Sequence, residues 1–122
     1  LSDKGKNLLE SLESVEVSDE TEVIFDWLSK HYKKLDKKIG NEAKTRRYIE
    51  SFSQKSGIKK NNLIMLCTAF IRDETNMEYS HMLEYVFYKP KTAFETRFNL
   101  HESRLYKYYK DNENYFNSIF EE

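Results

Sequence analysis

The clearest pattern in the chain lies over 18–38, where Ile24, Trp27, Leu28, His31 and Leu35 recur at three- and four-residue steps and Phe25 and Tyr32 widen the stripe. Side chains three and four positions apart share one face of a helix, so this spacing predicts an amphipathic helix with the stripe turned inward. Ser18 supplies a hydroxyl for the free N–H groups of the first turn, and Asp19, Glu20 and Glu22 set negative charge at the positive end of the helix dipole. Lysines follow at the other end, and Gly40 marks the expected stop. A shorter amphipathic segment precedes this helix, with Leu8, Leu9, Leu12 and Val15 on one side.

The same pattern continues downstream. Asn41 is the expected cap of a helix over 42–55 that turns Ala43, Tyr48, Ile49 and Phe52 inward and ends at Gly57. The segment 60–72 carries Leu63, Ile64, Leu66, Cys67, Phe70 and Ile71 and leaves little polar surface, as a central helix surrounded by others would. A helix over 76–88 offers Met82, Leu83, Val86 and Phe87 and must end before Pro90. The remainder reads as a short helix over 92–98 and a longer one over 101–120. With three Gly and one Pro, the chain lacks the frequent tight turns of an all-β fold. The expected architecture is all-α, a compact multi-helix bundle formed by residues 1–122 as a single helical domain. Because residue 1 is Leu, that domain is expected to be a piece of a longer protein.

Composition supports a real core: aromatic residues make up 15% of the 122 residues, although 34% are charged. Cys67 is the only cysteine, so no intramolecular disulfide can form, and a reducing intracellular compartment, cytoplasmic or nuclear, is expected. No run of apolar residues is long enough to span a membrane. The net charge of −1 hides segregation: residues 1–28 sum to −6, 29–60 to +8, 61–88 to −3, 89–110 to +4 and 111–122 to −4. Local potential, not net charge, recruits a polyanion. The basic block, including Lys33, Lys37, Arg46 and Arg47, reads either as a phosphate grip or as a solvated face balanced by the acidic N-terminal block.

Catalytic chemistry is not legible. There is no Gly-rich phosphate loop and no second cysteine, and His31, His81 and His101 fall in separate segments. Glu78 and His81 have the Glu-x-x-His spacing of di-iron bundles, but such sites need two copies and further carboxylates. No catalytic residue, metal site or cofactor is therefore expected, and function is sought in binding.

Two segments have the layout of two short helices about a tight turn. In the first, Phe52 to Ile58 followed by 59–70, the outward positions would include Ile64 and Met65, which suits scaffold better than a groove. In the second, Phe94 and Phe98 face inward, Asn99 makes the turn, and Leu100, Leu105 and Tyr108 dock the following helix. His101, Glu102, Ser103, Tyr106, Lys107 and Lys110 then point outward. This unit resembles the helix-turn-helix superfamily over about twenty residues. It departs from it at Glu95, where the superfamily favours a small residue. The resemblance implies duplex DNA as partner, with His101, Ser103, Arg104, Tyr106, Lys107 and Lys110 at the reading helix and Lys33, Lys37, Arg46 and Arg47 gripping phosphate. The competing reading is two ordinary bundle helices in a protein-interaction domain. In that case Tyr106, Tyr108, Tyr109, Tyr115, Phe116 and Phe120 of the last helix would dock a protein partner.

Overall fold

The computed structural model describes residues 17–90 and 97–120. Helix α1, Asp19–Lys34, begins as its sequence dictates: the Thr21 N–H donates to Ser18 Oγ at 3.3 Å, acids occupy the first turn and His31, Lys33 and Lys34 the last. It ends earlier than Gly40 suggests, because Asp36 turns left-handed at φ 58°, a conformation that Asp tolerates better than most residues. The buried face is Thr21, Ile24, Phe25, Leu28 and Tyr32. Trp27, expected in the core, is 42% exposed and stacks on His31 with ring centroids 5.2 Å apart, and Leu35 is also exposed. The inward stripe is thus rotated toward Tyr32, whose buried hydroxyl donates to the Ser80 carbonyl at 2.6 Å.

Gly40 serves a tertiary contact instead. Residues 38–41 pass beside 82–84, with the Leu83 and Glu84 N–H groups donating to the carbonyls of Lys38 and Ile39 at 3.1 and 3.0 Å. Gly40 has φ +88°, and a Cβ there would meet Met82 Sδ at 2.7 Å. The left-handed backbone calls for glycine, and a side chain there would also have to displace those of Met82 and Glu84. Helix α2, Glu42–Ser56, follows its predicted bounds, capped by Asn41 and closed by Gly57 at φ 75°. It runs antiparallel to α1, with Thr21 Oγ1 donating to Glu50 at 2.9 Å and Arg46 reaching Glu22 and the Phe25 ring.

Helix α3, Lys60–Arg72, is central as its composition predicts: Leu63, Leu66, Cys67 and Phe70 have no exposed surface. Burial pushes the Cys67 thiol pKa well above its ordinary range, so this cysteine is an inert core residue. The single helix expected over 76–88 is broken into a 3-10 turn, Glu74–Asn76, and two short helices, α4 (Met77–Ser80) and α5 (Leu83–Phe87). The break falls at Met82, drawn into extended backbone where it pairs with Lys38. The last expected helix is divided as well. A 3-10 turn, Leu100–Glu102, precedes α6 (Arg104–Asp111), and Asn112 separates α6 from α7 (Glu113–Ile119).

Seven α-helices among the described residues thus enclose one cluster of buried side chains, with no sheet. Phe70 meets Tyr108 edge-on at 5.4 Å, and Phe52 packs against Phe87 and Tyr106. Helices α6 and α7 accordingly wrap over α3, and α7 reaches the Trp27 side of α1. Among the described residues no helix is long and apolar enough to cross a membrane.

Candidate nucleic-acid interface

The helix-turn-helix resemblance begins on 92–98, of which 92–96 lie outside the described residues. Its second half is described and differs from the expected helix. Asn99 Oδ1 accepts from the His101 N–H at 3.1 Å, which supports a 3-10 turn at Leu100–Glu102. Ser103 then caps α6, so the helix begins at Arg104. Ser103 is fully buried, and its hydroxyl donates to the Phe87 carbonyl at 2.6 Å. Its expected place on the outward face is thereby corrected, because a side chain held inside the bundle by a buried carbonyl cannot reach a base edge.

The other expected reading residues divide by environment. Lys107 is exposed, and exposed Lys110 pairs with Glu113 at 2.9 Å. Arg104 is exposed with its guanidinium 5.4 Å from the centre of the Tyr79 ring. Tyr106 is half-buried, its ring edge-on to Phe52 and to His101. Of the expected grip, Arg46 is engaged by Glu22 at 3.1 Å and lies 4.2 Å over the Phe25 ring, so it is committed to joining α1 and α2. Lys33 lies in the last turn of α1 and Lys37 just beyond its end, where its charge acts on His31. Arg47 is half-buried, and its Nε is buried without a hydrogen-bond partner among the described residues.

What the fold does bring together is a groove of about 770 Å³ between α2 and the 97–101 stretch. Ser51 and Lys55 line it from one side, and Arg97, Phe98, Asn99 and His101 from the other. Arg47, Ser51 and Lys55 are spaced four apart, so they share a face of α2, although Arg47 does not itself line the groove. Lys55 Nζ donates to the Phe98 carbonyl at 3.4 Å and lies 5.6 Å from the centre of the Phe98 ring. An ammonium has three donors, so two remain for a ligand. Among the described residues, no carboxylate lines the groove. The groove thus sets cationic side chains around an apolar floor at Phe98.

Comparison with protein-family models, with curated proteins and with solved structures finds no match for this chain. Function is therefore to be sought in this chain's own residues. Sequence reasoning selected Arg47 and His101 but missed Lys55 and Arg97 as partners. Lys55 belongs to the basic block and Arg97 to the short helix expected over 92–98, so both signals are present in the sequence, but no periodicity links residues 42 positions apart. Among the described residues, no group of three or more His, Cys, Asp or Glu is placed to hold a metal.

Proposed function

We propose that this chain binds nucleic acid, with duplex DNA as the leading ligand, along the groove between α2 and the 97–101 stretch. Helix α6 is the adjoining reading element of a helix-turn-helix-like unit. One observation carries the reading: Lys55 of the basic block and Arg97 and His101 before α6 line one groove that no carboxylate enters among the described residues. Phosphate neutralisation by such side chains releases counterions and supplies affinity without regard to sequence. Arg104 and Lys107, exposed on α6, are the side chains available for base edges.

The test is fluorescence anisotropy with a labelled duplex at about 50 and about 200 mM salt. Binding should weaken steeply with salt, and Lys55→Ala combined with Arg97→Ala should flatten the log–log slope by about one unit for each phosphate no longer neutralised. Lys33→Ala with Lys37→Ala, outside the groove, should leave the slope unchanged. Lys107→Ala should cost about 1 to 3 kcal/mol at one base position while sparing non-specific binding. A folded wild-type protein with no salt-sensitive affinity for any duplex at low ionic strength would overturn the reading.

A further inference from the structure

A second groove, of about 500 Å³, opens between α1, α3 and α7. Trp27 and His31 line it from α1, Met65 and Ala69 from α3, and Tyr115 and Ile119 from α7. Its large apolar side chains are accessible: Trp27 is 42%, Tyr115 60% and Ile119 38% exposed. Large apolar side chains scattered singly on a surface need no explanation, but a row gathered into one concavity marks a contact surface. Helices α1 and α3 flank it in the same direction, for Lys60 at the start of α3 donates to Ser18 at the start of α1, and Arg72 and His31 near their ends line the same groove. A concavity lined by apolar side chains of several helices suits the apolar face of a further helix.

Charge indicates what kind of helix. Arg72 lines the trough and is exposed, His31 stands across from it, and no carboxylate lines it among the described residues. Burial, and then the charges of Arg72, Lys34 and Lys37, hold the His31 imidazole below its ordinary pKa of 6.5, which registers a positive potential at this end. An apolar floor with a basic rim complements an amphipathic helix whose polar flanks are acidic. We infer that the groove between α1, α3 and α7 is a docking site for an acidic amphipathic helix of a partner protein. This site is separate from the cationic groove at Lys55 and Arg97, so the two readings stand or fall independently.

Trp27 is the chain's only tryptophan, so its emission reports this groove alone. The probe is a synthetic helical peptide of about four turns with leucines on one face and glutamates elsewhere, titrated into the full chain beside a permuted peptide of the same composition. A saturable blue shift of Trp27 emission with the amphipathic peptide only is the expected result. Arg72→Glu should weaken binding by about tenfold, since it reverses a rim charge, and Ile119→Lys should abolish the shift. Lys55→Ala with Arg97→Ala should leave it intact. Arg72 is exposed, so its variant keeps the test open should Ile119→Lys fail to fold. Four outcomes overturn the inference: no saturable shift, equal response to the permuted peptide, a shift that follows protein concentration without peptide and so reports a second copy, or a Trp27 already shielded from iodide by the chain's own remaining residues.

Discussion

Ser103 shows how a single side chain changes meaning once its neighbours are known. Its place before a basic, tyrosine-rich run suits a reading helix, yet its hydroxyl donates to the Phe87 carbonyl and accepts from the Tyr106 N–H at 3.4 Å. It is at once the cap of α6 and the tie between α6 and α5. Ser103→Ala removes a cap and leaves a buried carbonyl unpaired, so it should cost about 1 to 3 kcal/mol in a denaturant melt. The DNA binding proposed above should keep its sequence preference in this variant under conditions where it is folded. A variant as stable as wild type would show that the carbonyl is satisfied otherwise. Trp27 makes the converse point: an aromatic in a helical stripe reads as core, but it stacks on His31 at the rim of a groove.

At the scale of elements, three helices meet at Glu50, which no motif singled out. Its Oε1 accepts from the Ser18 N–H at 2.8 Å and from Thr21 Oγ1 at 2.9 Å, Gln54 donates to Oε2 at 3.0 Å, and Lys60 Nζ stands 3.7 Å away. Burial alone would raise the pKa of this carboxyl. The hydrogen bonds from Ser18 and Thr21, with the Lys60 charge, outweigh burial and hold it below its ordinary 4.5. A depressed folded pKa means that the ionised group stabilises the fold. Its contribution is complete above the unfolded value near 4.5 and is lost as pH falls through the lower folded value. The difference in melting temperature between wild type and Glu50→Gln should thus be largest near neutrality and shrink below that point. A difference that does not vary with pH would assign the effect to packing. The start of α1 and both bounds of α2 were legible because caps and left-handed glycines act within one turn, whereas α1 ends at Lys34, short of Gly40. The breaks at Met82 and Asn112 were not, because the residues on either side keep an acceptable helical pattern. At Met82 it is Lys38, more than 40 positions away, that draws the backbone into extended pairing.

For the molecule as a whole, α3 is the element that the others cover. Leu66 lies at its centre with no exposed surface, so Leu66→Ala should cost about 2 to 5 kcal/mol through reduced burial and the cavity left behind. A cost under about 1 kcal/mol would place α3 at a surface. Packing α7 over α1 and α3 creates the groove that joins Trp27 to Tyr115 and Ile119, and packing 97–101 against α2 creates the one that joins Lys55 to Arg97 and His101. By itself the sequence determined the helical class, the caps at Ser18 and Asn41, the stop at Gly57 and the central place of 60–72. Those follow from periodicity and from interactions closed within a few residues. Only the tertiary structure decided which flank of α1 faces inward, where two predicted helices break, that Ser103 is buried, and which cations share a groove. Each of these depends on residues far apart in the chain meeting in space, and a helical repeat is compatible with several such arrangements until the partner surfaces are present.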